Sequence, residues 1–132
     1  MKEYFKQFFC DTDVKYSFII EADGKVCYAY LLHNNKIVGD VWIGNQVAQN
    51  DEHDFSDPSL MPFLNPKEYL FTSHELIKEF EPISISWDIS FNHKRVTICF
   101  SDNIIVRLEE GVYPGWSNRV IKNGPLAKTI DS

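Results

Sequence analysis

Apolar and polar residues alternate in two parts of the chain regularly enough to predict β-strands. In residues 14–22, and again in residues 83–91, every second position is apolar. A strand turns successive side chains to opposite faces, so each run is expected to bury one face and expose the other. The first run ends at Asp23-Gly24, a dipeptide that strongly favours a tight hairpin turn.

Each run opens a predicted three-stranded meander. Asn34-Asn35 provides the second turn of the first meander, since asparagine tolerates the left-handed backbone region. Polar turn residues separate the strands of the second meander in the same way. The predicted strands are 14–22, 26–32 and 37–43 in the first meander, and 83–91, 96–100 and 104–108 in the second.

Short helices are predicted beside the strands. In residues 2–9, three phenylalanines fall at i, i+3 and i+4, which is the spacing of one helix face. Thr72 and Glu75 have capping-box spacing before a helix predicted over 73–80, and a single turn is predicted over 118–121. The expected fold is therefore α+β: a curved six-stranded antiparallel sheet or two facing sheets, with two or three short helices.

Composition narrows the class of protein. A chain of 132 residues with 44% hydrophobic residues suits a single domain, expected to span residues 1–132, with a core rich in phenylalanine and tyrosine. The net charge of −6 argues against non-specific nucleic-acid binding, which depends on an excess of Lys and Arg. The same charge favours a neutral or basic protein partner.

The cysteine pattern and the hydropathy indicate the compartment. Three widely spaced cysteines without a CxxC pair favour a reducing environment over a disulfide framework. The charged N-terminus does not look like a signal peptide, and no apolar run is long enough to span a membrane. We therefore expect a cytoplasmic protein with no membrane association.

A long segment over residues 45–66 separates the two meanders and carries a concentrated negative charge. A connection of this length without a predicted helix or strand is typical of a functional loop or of disorder. Its acidic cluster lacks the glycine and ligand spacing of an EF-hand and the HExxH spacing of zinc sites, so no metal site is predicted. Four histidines lie outside any nucleophile-elbow context, and dispersed glycines form no phosphate loop, so no catalytic residue and no cofactor is predicted.

A binding surface is the function that these patterns favour. Asp40 and Trp42 share one face of the strand that leads into the acidic segment, and Phe55 lies among its carboxylates. Aromatic anchors surrounded by charge are typical of tight protein interfaces, although Trp42 also suits a core position. The predicted partner-binding residues are Asp40, Trp42, Asp51, Glu52, Asp54, Phe55 and Asp57.

Three features give the chain a recognisable overall character: the strand exit at residues 41–45, the acidic segment and the tail at Pro114-Gly115-Trp116-Ser117. In these features the chain resembles the bacterial immunity proteins of polymorphic-toxin and contact-dependent growth-inhibition systems. The resemblance implies stoichiometric inhibition of a cognate toxin, often a basic nuclease. The alternative is a small-ligand-binding or enzymatic α+β domain whose curved sheet encloses a pocket. A deep apolar pocket would favour this alternative, and a flat or convex acidic surface would favour the partner.

Overall fold

Nine β-strands in two sheets form the fold. The structure, a computed structural model, describes residues 3–47, 56, 61–70, 76–77 and 79–131. The first sheet has the order β1-β2-β3-β4 and the second the order β5-β6-β7-β8-β9, with antiparallel neighbours except for the parallel pair β8–β9. The strands are β1 (Glu3–Phe9), β2 (Tyr16–Asp23), β3 (Val26–His33), β4 (Lys36–Asn45), β5 (Ser84–Ile89), β6 (Lys94–Cys99), β7 (Ile105–Glu109), β8 (Trp116–Ser117) and β9 (Lys128–Thr129).

The predicted α+β class is wrong, because the fold is mostly β. Within the described part of the chain there is no α-helix, only single 3₁₀ turns at Lys67–Tyr69 and Ser101–Asn103. The helix predicted over 2–9 is instead strand β1, which pairs with β2 along its whole length. Eight residues are too few for a helix to be stable without tertiary packing, and β2 offers a complete ladder of backbone hydrogen bonds instead.

The other two predicted helices are also absent where the structure describes them. In the range 73–80, residues 76, 77, 79 and 80 are described and none is helical, while the remaining residues lie outside the described part. The amide of Ile77 donates instead to the carbonyl of Asn45, at 2.9 Å. After Ser117 the chain makes only a turn, in which the Ser117 hydroxyl accepts from the amide of Arg119 at 3.1 Å.

The two meanders predicted from alternation are present, with shifted ends. Asn34 and Asn35 adopt positive φ of 53° and 67°, as their predicted turn requires. The predicted inner face of the first run begins too early, since Val14 precedes β2 and is 70% exposed. The predicted inner face of the run 83–91 ends too late, since Phe91 lies beyond β5 and is 98% exposed.

Side chains from both sheets fill one core. Phe18 and Val41 of the first sheet and Val96 and Val106 of the second are completely buried in the same cluster. The rings of Phe18 and Trp87 meet across the sheets with centroids 5.7 Å apart. Burying each large apolar side chain contributes about 1.5–3 kcal/mol, so this layer is the main source of stability.

The C-terminal tail closes the edge of the first sheet that β4 forms. Backbone groups of β4 that point away from β3 are hydrogen-bonded by the tail and by the turn before it. The tail thereby connects the first sheet to the second. The three bonds run from Gly111 N to Val38 O at 2.7 Å, from Gly115 N to Asp40 O at 2.6 Å, and from Trp42 N to Leu126 O at 3.0 Å.

Candidate partner-binding face

The first sheet has one side that is turned away from β5–β9, here called the outer face. Asp40 and Trp42, the predicted site residues that the structure describes, lie on this face. The strand register lines its side chains up in rows that cross all four strands. Because successive side chains alternate between the faces of a sheet, every member of a row points to the same side. The two central rows are Phe5–Glu21–Tyr28–Trp42 and Gln7–Ile19–Tyr30–Asp40.

The β4 end of the outer face is covered by residues 61–66. Asn45 connects the two segments, because its Oδ1 accepts from the indole Nε1 of Trp42 and from the amide of Asn65, both at 2.9 Å. Its Nδ2 donates to the carbonyl of Asn65, also at 2.9 Å. The hydroxyl of Tyr28 donates to the carbonyl of Phe63 at 2.7 Å. These buried polar groups are thus all satisfied, and they hold the covering segment in place.

Trp42 is therefore a core residue, as the alternative interpretation of its sequence position held. Its side chain is 1% exposed, so it offers no surface to a partner. Asp40 lies on the same face as predicted and is half-buried. The other predicted partner-binding residues lie outside the described part of the chain: Asp51, Glu52, Asp54, Phe55 and Asp57.

The β1 end of the outer face is open and aromatic. Phe5 is 64% exposed and Phe9 is 57% exposed, and both project from β1 on this side. Ile19 and Tyr30, in the middle of the sheet, are partly exposed beside them. Exposed large apolar side chains that form a contiguous patch mark an interaction surface more often than singly scattered ones do.

Three carboxylates lie beside the Phe5 end of this aromatic patch. Glu3, Glu21 and Asp23 are exposed and, together with Phe5, line a shallow cleft of about 310 Å³ at one end of β1 and β2. Among the described residues, no Lys, Arg or His forms an ion pair with Glu21 or Asp40. The open part of the face is thus both apolar and negatively charged.

The carboxyl group of Asp40 is the least solvated of these acids. Burial raises the pKa of Asp40 above its ordinary value of 3.8. Burial, followed by the nearby charges of Glu21 and Asp40, raises the pKa of Tyr30 to about 12. Tyr30 is therefore neutral at physiological pH, and the charge of Asp40 is only partly compensated by solvent.

Cations are found on the opposite side of the molecule. Arg95, Arg107 and Lys128 lie on the outward face of the second sheet, where the guanidinium of Arg95 contacts Glu109 at 2.8 Å. The ammonium of Lys128 lies 5.3 Å from the ring centroid of Trp116. The outward face of the second sheet thus mixes cations with the acids Asp88 and Glu109. The two central rows of the outer face carry acids and no Lys or Arg.

Other candidate chemistry finds less support among the described residues. No group of three metal-ligating side chains occurs in that part of the chain. The three cysteines are free, and burial raises the pKa of the Cys27 thiol, which disfavours the reactive thiolate. His33 stacks on Tyr16 and lies 3.3 Å from Glu110, which also accepts from the Tyr16 hydroxyl at 2.9 Å. This cluster joins β2 and β3 to the end of β7.

Sequence reasoning misses the open half of the face. The phenylalanine spacing predicts a helix for Phe5 and Phe9, and the alternation of β2 identifies Glu21 only as part of a polar side. The local pattern gives no signal for strand β1, because the apolar residues Tyr4, Phe5, Phe8 and Phe9 do not alternate with polar ones. Their spacing matches a helix instead.

Comparisons with known proteins add no family to this description. No protein-family model matches the chain, and neither the curated proteins nor the solved structures contain a match. No helix in the described part of the chain is long and apolar enough to cross a membrane.

Proposed function

We propose that this chain is a protein-binding inhibitor that acts in the cytoplasm as an immunity protein and neutralises a basic toxin domain by binding it one to one. The observation that carries the proposal is the open half of the outer face, where the exposed ring of Phe5 lies beside three carboxylates and Phe9 is exposed further along the same strand. In the part of the chain that the structure describes, these rings stay exposed. A basic partner would bury the rings and pair the acids.

Each part of the face has a separate physical role in this binding. Phe5 and Phe9 supply apolar area, and aromatic side chains of this kind commonly dominate the energy of an interface. The exposed acids Glu3, Glu21 and Asp23 raise the rate of encounter with a basic surface. Asp40 loses part of its hydration when the chain folds. A cation that pairs with Asp40 therefore meets a carboxylate whose desolvation cost has partly fallen in folding and not in binding.

The alternative of a ligand-binding or enzymatic domain requires a pocket enclosed by the curved sheet. In the described part of the chain, buried side chains from both sheets occupy that space. The cleft beside Phe5 is shallow and opens on the outside of the first sheet. It suits a side chain of a partner better than an enclosed small molecule.

The proposal predicts that neutralising the acids of the outer face slows association with a basic partner. The partner is first captured from the native host and purified. The variant Glu3→Gln/Glu21→Gln/Asp23→Asn/Asp40→Asn is then compared with the unaltered chain by stopped-flow kinetics over a range of salt concentrations. We expect the association rate constant to fall about tenfold or more at low salt, with a weaker salt dependence.

A matched control removes the same number of charges elsewhere. Asp11, Asp13, Asp88 and Asp131 are exposed or partly exposed, lie outside the two central rows and are each changed to Asn in the control. We expect this control to associate at close to the unaltered rate and to protect cells from the captured partner. Equal rate constants for the two variants, or a captured partner without a basic surface, would contradict the proposal.

A further inference from the structure

We infer that the free edge of β1 receives an extended, basic segment of the partner as an added strand of the first sheet. The inference rests on the proposed function and names the mode of contact. It combines three observations: an edge strand with outward-pointing backbone groups, exposed rings along that strand, and a carboxylate cleft beside it. Strand addition uses backbone hydrogen bonds for affinity and alternate side chains for specificity.

The hydrogen-bond pattern identifies which backbone groups of β1 are available. The amide of Cys10 donates to the carbonyl of Tyr16 at 2.9 Å, and the ladder continues with Phe8 opposite Phe18 and Lys6 opposite Ile20. In an antiparallel ladder, residues alternate between those that bond the neighbouring strand and those that point away from it. The backbone groups of Phe5 and Gln7 therefore point to the free edge.

The same alternation is visible at the opposite edge of the sheet, which is strand β4. There the outward-pointing groups of Val38, Asp40 and Trp42 are bonded by the tail and the turn before it. At β1, no backbone hydrogen bond from another described segment reaches the corresponding edge. An exposed edge strand of seven residues with large apolar side chains is a template for another strand.

Charge determines the kind of strand that fits. Side chains on one side of an added strand would lie over the outer face, next to Phe5 and the cleft formed with Glu3, Glu21 and Asp23. Lys and Arg suit these positions, since their stems pack on the ring and their charged ends meet the carboxylates. The segment should therefore carry Lys or Arg at every second residue.

A second copy of this chain pairs unfavourably in the register centred on Lys6. An antiparallel pair of β1 strands related by a two-fold axis through Lys6 would place Lys6 opposite itself. Like charges directly opposite one another destabilise a ladder, so this register disfavours self-pairing.

The test uses the full chain and a synthetic probe. The probe is a blocked peptide of about eight residues in which Arg or Lys alternates with Thr or Val, a length typical of a strand. Its acidic counterpart carries Glu in place of Arg and Lys. Titration of the isotope-labelled chain, followed by NMR, should show the amides of Phe5 and Gln7 shifting and becoming protected from hydrogen exchange with the basic peptide only. The amides of Lys6 and Phe8, already bonded to β2, should keep their protection.

A proline substitution separates strand addition from simple contact with the face. Gln7→Pro removes a donor that points to the free edge, and proline is tolerated at such edge positions. Because it also removes the bond from Gln7 Nε2 to the Ser17 hydroxyl, Gln7→Ala serves as its control. We expect Gln7→Pro to weaken peptide binding about tenfold and Gln7→Ala less than about twofold. Circular dichroism verifies that both variants fold.

The outcomes distinguish this inference from the proposed function. If Gln7→Pro binds as tightly as Gln7→Ala while the four-acid variant loses binding, strand addition is overturned and the acidic face remains the binding site. If the free chain protects the amides of Phe5 and Gln7 in a concentration-dependent manner without peptide, a second copy occupies the edge and the inference fails. Loss of peptide binding in Gln7→Pro alone, with protection of those two amides in the unaltered chain, supports it.

Discussion

At the scale of single residues, Asp40 carries a charge that burial makes unfavourable in the free chain. Its carboxylate is half-buried, has no ion-pair partner among the described residues, and has a pKa raised by burial. The alternation of β4 is enough to place Asp40 and Trp42 on one face. The alternation cannot predict that the two side chains differ in exposure. That difference depends on residues 61–66, which are distant in sequence and are held against the face by hydrogen bonds between Asn45 and Asn65.

The raised pKa of Asp40 makes the stability of the chain depend on pH in a definite direction. The folded chain binds a proton at Asp40 more readily than the unfolded chain does, so the charged carboxylate lowers stability at neutral pH. Asp40→Asn should therefore raise the free energy of unfolding at pH 7. The gain should shrink as the pH falls through the folded pKa and vanish below about 3.8, where both states are protonated.

Urea unfolding at several pH values measures this difference. Asp11→Asn is the control, since Asp11 is exposed and should change stability by less than about 0.5 kcal/mol at any pH. A gain for Asp40→Asn that is independent of pH would show that the effect comes from packing and not from the charge.

At the scale of elements, the central β-strands are predictable from sequence and the ends of the sheets are not. Alternation and turn residues locate six strands, because each is an alternating or continuous apolar run bounded by local turns. Strand β1 escapes this prediction because the apolar residues of Glu3–Phe9 have a helical spacing, and pairing with β2 makes the segment a strand. Strands β8 and β9 are two residues long and exist through tertiary pairing, which no local pattern indicates.

The tail depends on close backbone approach at Gly115. A Cβ atom there would overlap the carbonyl oxygen of Arg107, and the Gly115 amide bonds the carbonyl of Asp40. Gly115→Ala should lower the free energy of unfolding by about 3 kcal/mol, because backbone must move to admit the methyl group. The amide of Trp42, which donates to Leu126, should also exchange faster with solvent.

Gly111→Ala is the comparison for this variant. Gly111 has a φ of +84°, and a Cβ atom added there would meet no other atom within 4 Å, so only backbone strain of about 1 kcal/mol is expected. Chemical denaturation combined with hydrogen exchange checks both. Equal losses for the two glycines would mean that the tail adapts to the added methyl group and does not depend on contact with Arg107.

At the scale of the whole molecule, the two sheets share one core but carry different side chains on their outward faces. Their inner faces build one core cluster, while acids and exposed rings lie on one outward face and several cations on the other. The total charge follows from composition. Its distribution does not, since it depends on which residues the sheet register places side by side.

The shared core predicts that both sheets unfold together, as expected of the single domain proposed for residues 1–132. Ala29 in β3 and Ile98 in β6 are fully buried in the same cluster, and the tail bonds to both sheets. The amides of these two residues should report the same free energy of unfolding in native-state hydrogen exchange, and far-UV circular dichroism should show one coincident transition. Separate transitions for the two sheets would refute a common cooperative unit.

The closure of one edge of the first sheet has a consequence for the composition of any complex. The β4 edge is occupied by Gly111, Gly115 and Leu126, so among the described strands β1 is the edge of this sheet that a further strand could join. The first sheet can therefore accept one added strand and cannot link two partners to each other. Titration of a partner should therefore reach a sharp equivalence point at equal amounts, with no cross-linked or chain-like species even when one component is in large excess.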